Sequence, residues 1–82
     1  MLFTAENIEE LNLLLQFKTA AHDSGIKVHS SARPEVIQAC QRLFGKGLVT
    51  LIDGGYLTDA GIEALVHVQV VKSLLEAKTQ VS

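Results

Sequence analysis

The chain lacks a surplus of positive charge: seven Lys and Arg stand against nine Asp and Glu, for a net charge of -2 and a pI near 5.8. A whole-molecule field of that sign does not gather nucleic acid, so any such affinity has to come from a local patch. Cysteine is nearly absent as well. With Cys40 alone, no intrachain disulfide framework can form, and a reducing compartment is the simpler expectation. The N-terminus has no basic segment followed by an apolar stretch, and glutamates Glu6, Glu9 and Glu10 stand there instead, so no secretory signal is expected. No strictly apolar run approaches the length of a membrane span. These absences point to a soluble, cytoplasmic chain.

What is present is apolar and orderly. Of 82 residues, 48% are hydrophobic and 20% charged, which argues against disorder and fits one small domain over 1–82. Thr4 has the character of an N-cap, Glu6 suits the first turn, and Phe3 with Ile8 has the spacing of a hydrophobic staple. The spacing predicts a helix over 5–17 with Ile8, Leu11, Leu14 and Leu15 as its core stripe. Leu13 and Phe17 lie off that stripe, so this helix is expected to bury more than one side. Residues 18–25 read as a short helical turn ended by Gly25, and IKVH as a short strand or extended loop.

Ser30 and Ser31 can cap a second helix over 32–45, where Pro34 is tolerated in the first turn. Val36, Ala39, Cys40 and Leu43 form its inner face, and Glu35, Gln38, Gln41 and Arg42 fall opposite. Gly45 and Gly47 end it. Leu48 to Ile52 is rich in β-formers, Asp53-Gly54-Gly55 reads as a turn, and Tyr56-Leu57 as the returning strand. Thr58 then caps a last helix over 59–79, although VHVQV within it alternates at the period of a strand. Its apolar residues point almost all round a helical wheel, more than one small core absorbs, so Val66, Val70, Val71, Leu74 and Leu75 are the expected interface of a homodimer. The expected core is Ile8, Leu11, Leu15, Val36, Cys40, Leu43, Leu48, Leu57, Ile62 and Leu65.

Residues for catalysis are few. His22, His29 and His67 lack the close spacing of metal ligands, so no metal or other cofactor is expected. Cys40 sits on an apolar stripe, well past the first helical turn, and reads as core. Gly45-Lys46-Gly47 is too short for a phosphate loop and reads as a helix C-cap leading into the hairpin. No carboxylate couple stands out, and a chain this small encloses a substrate pocket with difficulty. An enzyme is not expected.

Leu43, Gly47-Leu48-Val49 and Leu57-Thr58-Asp59-Ala60-Gly61 resemble the second half of the winged helix-turn-helix domain of bacterial transcriptional regulators. Through LLLQF at 13–17, GIKVH at 25–29, QRLFGKGLVT at 41–50 and DGGYLTDAG at 53–61, the chain also resembles an uncharacterised gammaproteobacterial family of similar length, sometimes labelled DNA-binding. The resemblance implies a small DNA-binding regulator whose helix 32–45 enters the major groove of double-stranded DNA. Gln38, Gln41 and Arg42 would then face the bases, with Lys27, Arg33 and Lys46 near phosphates. Over 27–46, Lys27, Arg33, Arg42 and Lys46 outweigh Glu35, which makes a modest basic patch. Replacing Arg42 by alanine is expected, on this reading, to abolish much of the DNA binding and leave the fold intact. Two departures stand against it: LIDGGY offers no Lys or Arg at the wing tip, and GIKVHS intervenes where a helix-turn-helix has a short turn.

The resulting expectation is an α+β, winged-helix-like domain with three main helices, a β-hairpin wing and a long C-terminal helix. Its function is DNA binding, or alternatively protein interaction and dimerisation on the same fold without DNA.

Overall fold

The computed structural model describes residues 1–19 and 25–77. His22 and Asp23, with most of the expected turn over 18–25, lie outside the described residues.

Thr4 opens the first helix, α1 (Ala5–Thr19), as its sequence indicates. The Asn7 backbone N–H donates to Thr4 Oγ1 at 3.1 Å, and the Thr4 N–H donates back to Asn7 Oδ1 at 3.1 Å. Two otherwise orphaned donors are thereby satisfied reciprocally, as in a capping box. A two-residue strand, β1 (Ile26–Lys27), follows, and then a turn closed by the Ala32 N–H on the His29 carbonyl. The second helix, α2 (Pro34–Gly45), begins at the proline, later than the expected 32. Arg33 holds the cap position without a capping hydrogen bond from its side chain, so neither serine serves there. Its C-terminus behaves as the glycines foretell. Gly47, at φ 76°, lets its N–H reach the Phe44 carbonyl while the Leu48 N–H reaches the Leu43 carbonyl, so these two late carbonyls are satisfied.

Strands β2 (Val49–Leu51) and β3 (Gly54–Leu57) form the hairpin, and the antiparallel sheet has the order β1-β3-β2. The turn is Ile52-Asp53, and both following glycines belong to β3, contrary to the expected Asp53-Gly54-Gly55 turn. Gly54 explains the difference. It pairs with Lys27 at φ 127°, and a Cβ there would lie 2.2 Å from the Ile26 carbonyl oxygen, so a bare backbone is what admits β1.

The last helix, α3 (Asp59–Glu76), runs unbroken through VHVQV, which settles that stretch as helix. Residues 78–79 of the expected span are outside the described ones. Thr58 caps it: its Oγ1 accepts from the Gly61 N–H at 3.0 Å and its hydroxyl donates to the Gly47 carbonyl at 2.6 Å. One side chain thus ties the start of α3 to the end of α2. Replacing Thr58 with alanine is expected to cost about 1–2 kcal/mol, with serine restoring most of it. Equilibrium denaturation of the two variants reads this directly.

The fold class is the expected one, α+β with three helices, a hairpin and a long C-terminal helix. Its core differs in detail. Leu13 and Leu14 of α1, Ala39, Cys40 and Leu43 of α2, Val49 and Leu65 are buried. Leu15, Val36, Leu48 and Leu57 pack against them partly buried, whereas Ile8 and Ile62 are exposed. The physical reason is the rotation of α1. It turns Glu10, Leu13, Leu14 and Phe17 to the core side, which leaves Ile8, Leu11 and Leu15 as a second stripe toward α3. The burial of two sides is as expected; which side is deepest is not.

Candidate functional site

The residues singled out for DNA contact divide into two groups. Gln38 and Gln41 stand exposed on the outer face of α2, beside Glu35. Lys27 is exposed in β1 and makes no ion pair with a described residue. The other three cations are held by α1. Arg33 Nη2 lies 3.0 Å from Glu9 Oε1, and Lys46 Nζ lies 2.7 Å from Glu10 Oε2. Arg42 reaches Glu10 Oε2 with Nε at 3.0 Å, Glu6 Oε2 with Nη1 at 3.7 Å, and the Glu6 carbonyl with Nη2 at 3.2 Å. The outward position expected for Arg42 is therefore corrected: it lies on the flank of α2 that faces α1.

Glu10 is the centre of this cluster. Its residue is 6% exposed, and its carboxylate accepts from Asn7, Arg42 and Lys46. Burial alone pushes the carboxyl up, but the hydrogen bonds from Lys46, Asn7 and Arg42 and the charge of Lys46 outweigh it and hold it below its ordinary value. Sequence reasoning missed this residue. The available signal was a glutamate placed three and four residues before Leu13 and Leu14, on the stripe that turns out to be buried.

A second surface is apolar. Val66, Val70 and Val71 are each about half exposed, Leu74 is 71% exposed and Leu75 81%. These are the residues expected to form a dimer interface, and they fall in two places. Val66, Val70 and Leu74 recur every four residues on the side of α3 away from buried Gly61 and Leu65. Val71 and Leu75 instead join Val68 in lining an open groove of about 490 Å³, with Ile8, Leu11 and Leu15 of α1 also lining it. Phe3, Asn12, His67, Lys72 and Glu76 complete the lining, and Lys72 Nζ meets Glu76 Oε2 at 2.7 Å.

Cys40 is 1% exposed; burial, with the Asp53 carboxylate adding to it, pushes its thiol up, away from a reactive thiolate. Among the described residues, no three His, Cys, Asp or Glu side chains converge as metal ligands, and no helix is long and apolar enough to cross a membrane.

The arrangement defines an α+β domain with an acid-locked helix pair on one side and an unfilled apolar groove on another. The chain belongs to a family of unknown function, DUF5669, which it matches over residues 1–76. Neither a curated protein nor a solved structure matches it.

Proposed function

We propose that the chain is a small homodimeric interaction module acting through α3, with no catalytic role. The observation that carries this reading is the exposed apolar surface of Val66, Val70, Val71, Leu74 and Leu75 on a helix whose buried part ends near Leu65. Apolar surface left open on this scale favours association. A second copy is the simplest partner, because one patch then serves both sides. Sedimentation equilibrium is expected to give twice the 8.9 kDa chain mass. A monomer persisting at about 100 μM, well above the roughly micromolar dissociation constants of ordinary interfaces, would overturn it.

The second reading, DNA binding through α2, is favoured by Gln38 and Gln41, which stand exposed one turn apart. Adenine-reading side chains are of this kind. Affinity for DNA, however, comes mainly from phosphate contacts, and Arg33, Arg42 and Lys46 already have carboxylate partners on α1. Titrating labelled protein with a mixed-sequence duplex separates the two readings. No amide shifts are expected at Gln38, Gln41, Arg42 or Lys46 at about 50 mM salt; shifts there that fade at about 200 mM would restore the regulator.

A further inference from the structure

We infer that the groove between α1 and α3 is the seat of a second copy of this chain, each protomer supplying half of a four-helix bundle. This deepens the homodimer reading and rests on it. The inference assigns the seam to the groove and leaves Val66, Val70 and Leu74 outside it.

The spacing is the first argument. Ile8, Leu11 and Leu15 follow one another at intervals of three and four, and so do Val68, Val71 and Leu75. Each helix thus carries the alternating three-four repeat of a bundle seam, and both repeats line the same open groove. Within one protomer Leu15 and Val68 pack partly against the core, whereas Ile8, Val71 and Leu75 stay exposed and the groove between the two stripes remains unfilled. A second pair of identical stripes, related by a two-fold axis, supplies the missing knobs and receives the same in return.

Size is the second. On α3 the lining runs from His67 to Glu76, about 15 Å of helix, and two neighbouring helices are about 10 Å apart, so the α1/α3 face is roughly 20 Å wide including side chains. That is roughly 300 Å² in projection, larger over the exposed side chains of Phe3, Ile8, Val71 and Leu75, which suits a weak dimer, smaller than the ~800 Å² per partner of an ordinary interface.

Charge is the third. The acidic surplus of α1 is spent on α2, where Glu9 and Glu10 meet Arg33, Arg42 and Lys46. Along the groove the charged pair Lys72 and Glu76 is mutually neutralised. Two copies of a chain with net charge -2 therefore meet there without opposing like charges.

The test uses the full chain and three charge insertions, with circular dichroism confirming each fold. Leu75→Glu and Ile8→Glu stand on opposite walls of the groove, and both positions are exposed, so neither insertion buries a charge in the monomer. Val70→Glu stands on the outer side of α3. Sedimentation equilibrium is expected to show that Leu75→Glu and Ile8→Glu each weaken dimerisation at least about 100-fold, while Val70→Glu changes it by no more than about threefold. A dimer that survives Leu75→Glu, or that Val70→Glu disrupts equally, overturns the groove as the seam and leaves the homodimer reading standing. A wild-type monomer overturns both.

Discussion

Replacing Gly61 with alanine is expected to destabilise the fold by about 3 kcal/mol, which for a domain of this size lowers Tm by roughly 15 °C. Gly61 lies in the first turn of α3, where the helix leans on the start of the hairpin. A Cβ at that position would sit 2.1 Å from the Leu48 carbonyl oxygen and 3.1 Å from Leu57 Cδ2. The obstacle is backbone, and it is held in place from both sides. The Leu48 carbonyl accepts from the Thr58 N–H at 3.1 Å, and the Leu48 N–H donates to Leu43 at 2.9 Å. Relieving the clash therefore means moving α3 away from the hairpin, with loss of the Thr58 cap contacts to Gly47 and Gly61. Alanine's better helix propensity offsets only about 1 kcal/mol of this. Gly45→Ala is the control, because nothing lies within 4 Å of its Cβ. Thermal unfolding of the two variants is expected to differ widely; equal Tm values would mean that α3 yields without cost.

The same contact shows what kind of information the sequence holds. Capping residues and glycines announced most of the elements: Thr4, Thr58 and Gly47 do what their types and positions indicate. Those are local effects, decided within a turn of the chain. Gly54 and Gly55 were misassigned for a related reason. A glycine marks a place where a side chain is excluded or φ is positive, but the sequence does not say whether a turn or an approaching strand excludes it. At Gly54 the excluding group is β1, whose Ile26 comes from well upstream, and at Gly55 it is the Thr50 and Leu51 side chains of β2. The orientation of α1 was harder still. Six large apolar residues surround that helix, and only the position of α2 decides that Leu13 and Leu14 go deepest while Ile8 stays out. The candidate site inherits that ambiguity. Arg42 has no acidic residue three or four positions away on its own helix, and its partners arrive from α1, 32 residues earlier in the case of Glu10.

That cluster carries the second large expectation: replacing Arg42 with alanine is expected to cost about 2 kcal/mol of stability, within the range for hydrogen bonds to charged groups. The expectation from sequence alone was an intact fold. The difference lies with Glu10, which is 6% exposed and would keep only Lys46 and Asn7 as donors. Removing the carboxylate instead is milder, because the Lys46 side chain is 53% exposed and can return to water. Glu10→Gln is therefore expected to cost less than Arg42→Ala, and the double variant less than the sum of the two. The pH dependence has a fixed sign. The Glu10 carboxyl is held below its ordinary value in the folded chain, so its contribution is complete above the unfolded value of about 4.3 and is lost as pH falls through the lower folded value. Denaturation curves between about pH 3 and 6 are then expected to fall more steeply for the wild type than for Glu10→Gln, with the gap closing toward acid. Parallel curves would place the cluster in solvent and return Arg42 to the surface. A steeper wild-type curve with a destabilised Arg42→Ala would instead fix Arg42 as the strut between α1 and α2. Loss of DNA binding in that variant would then count as base contact only if the same sample remained folded.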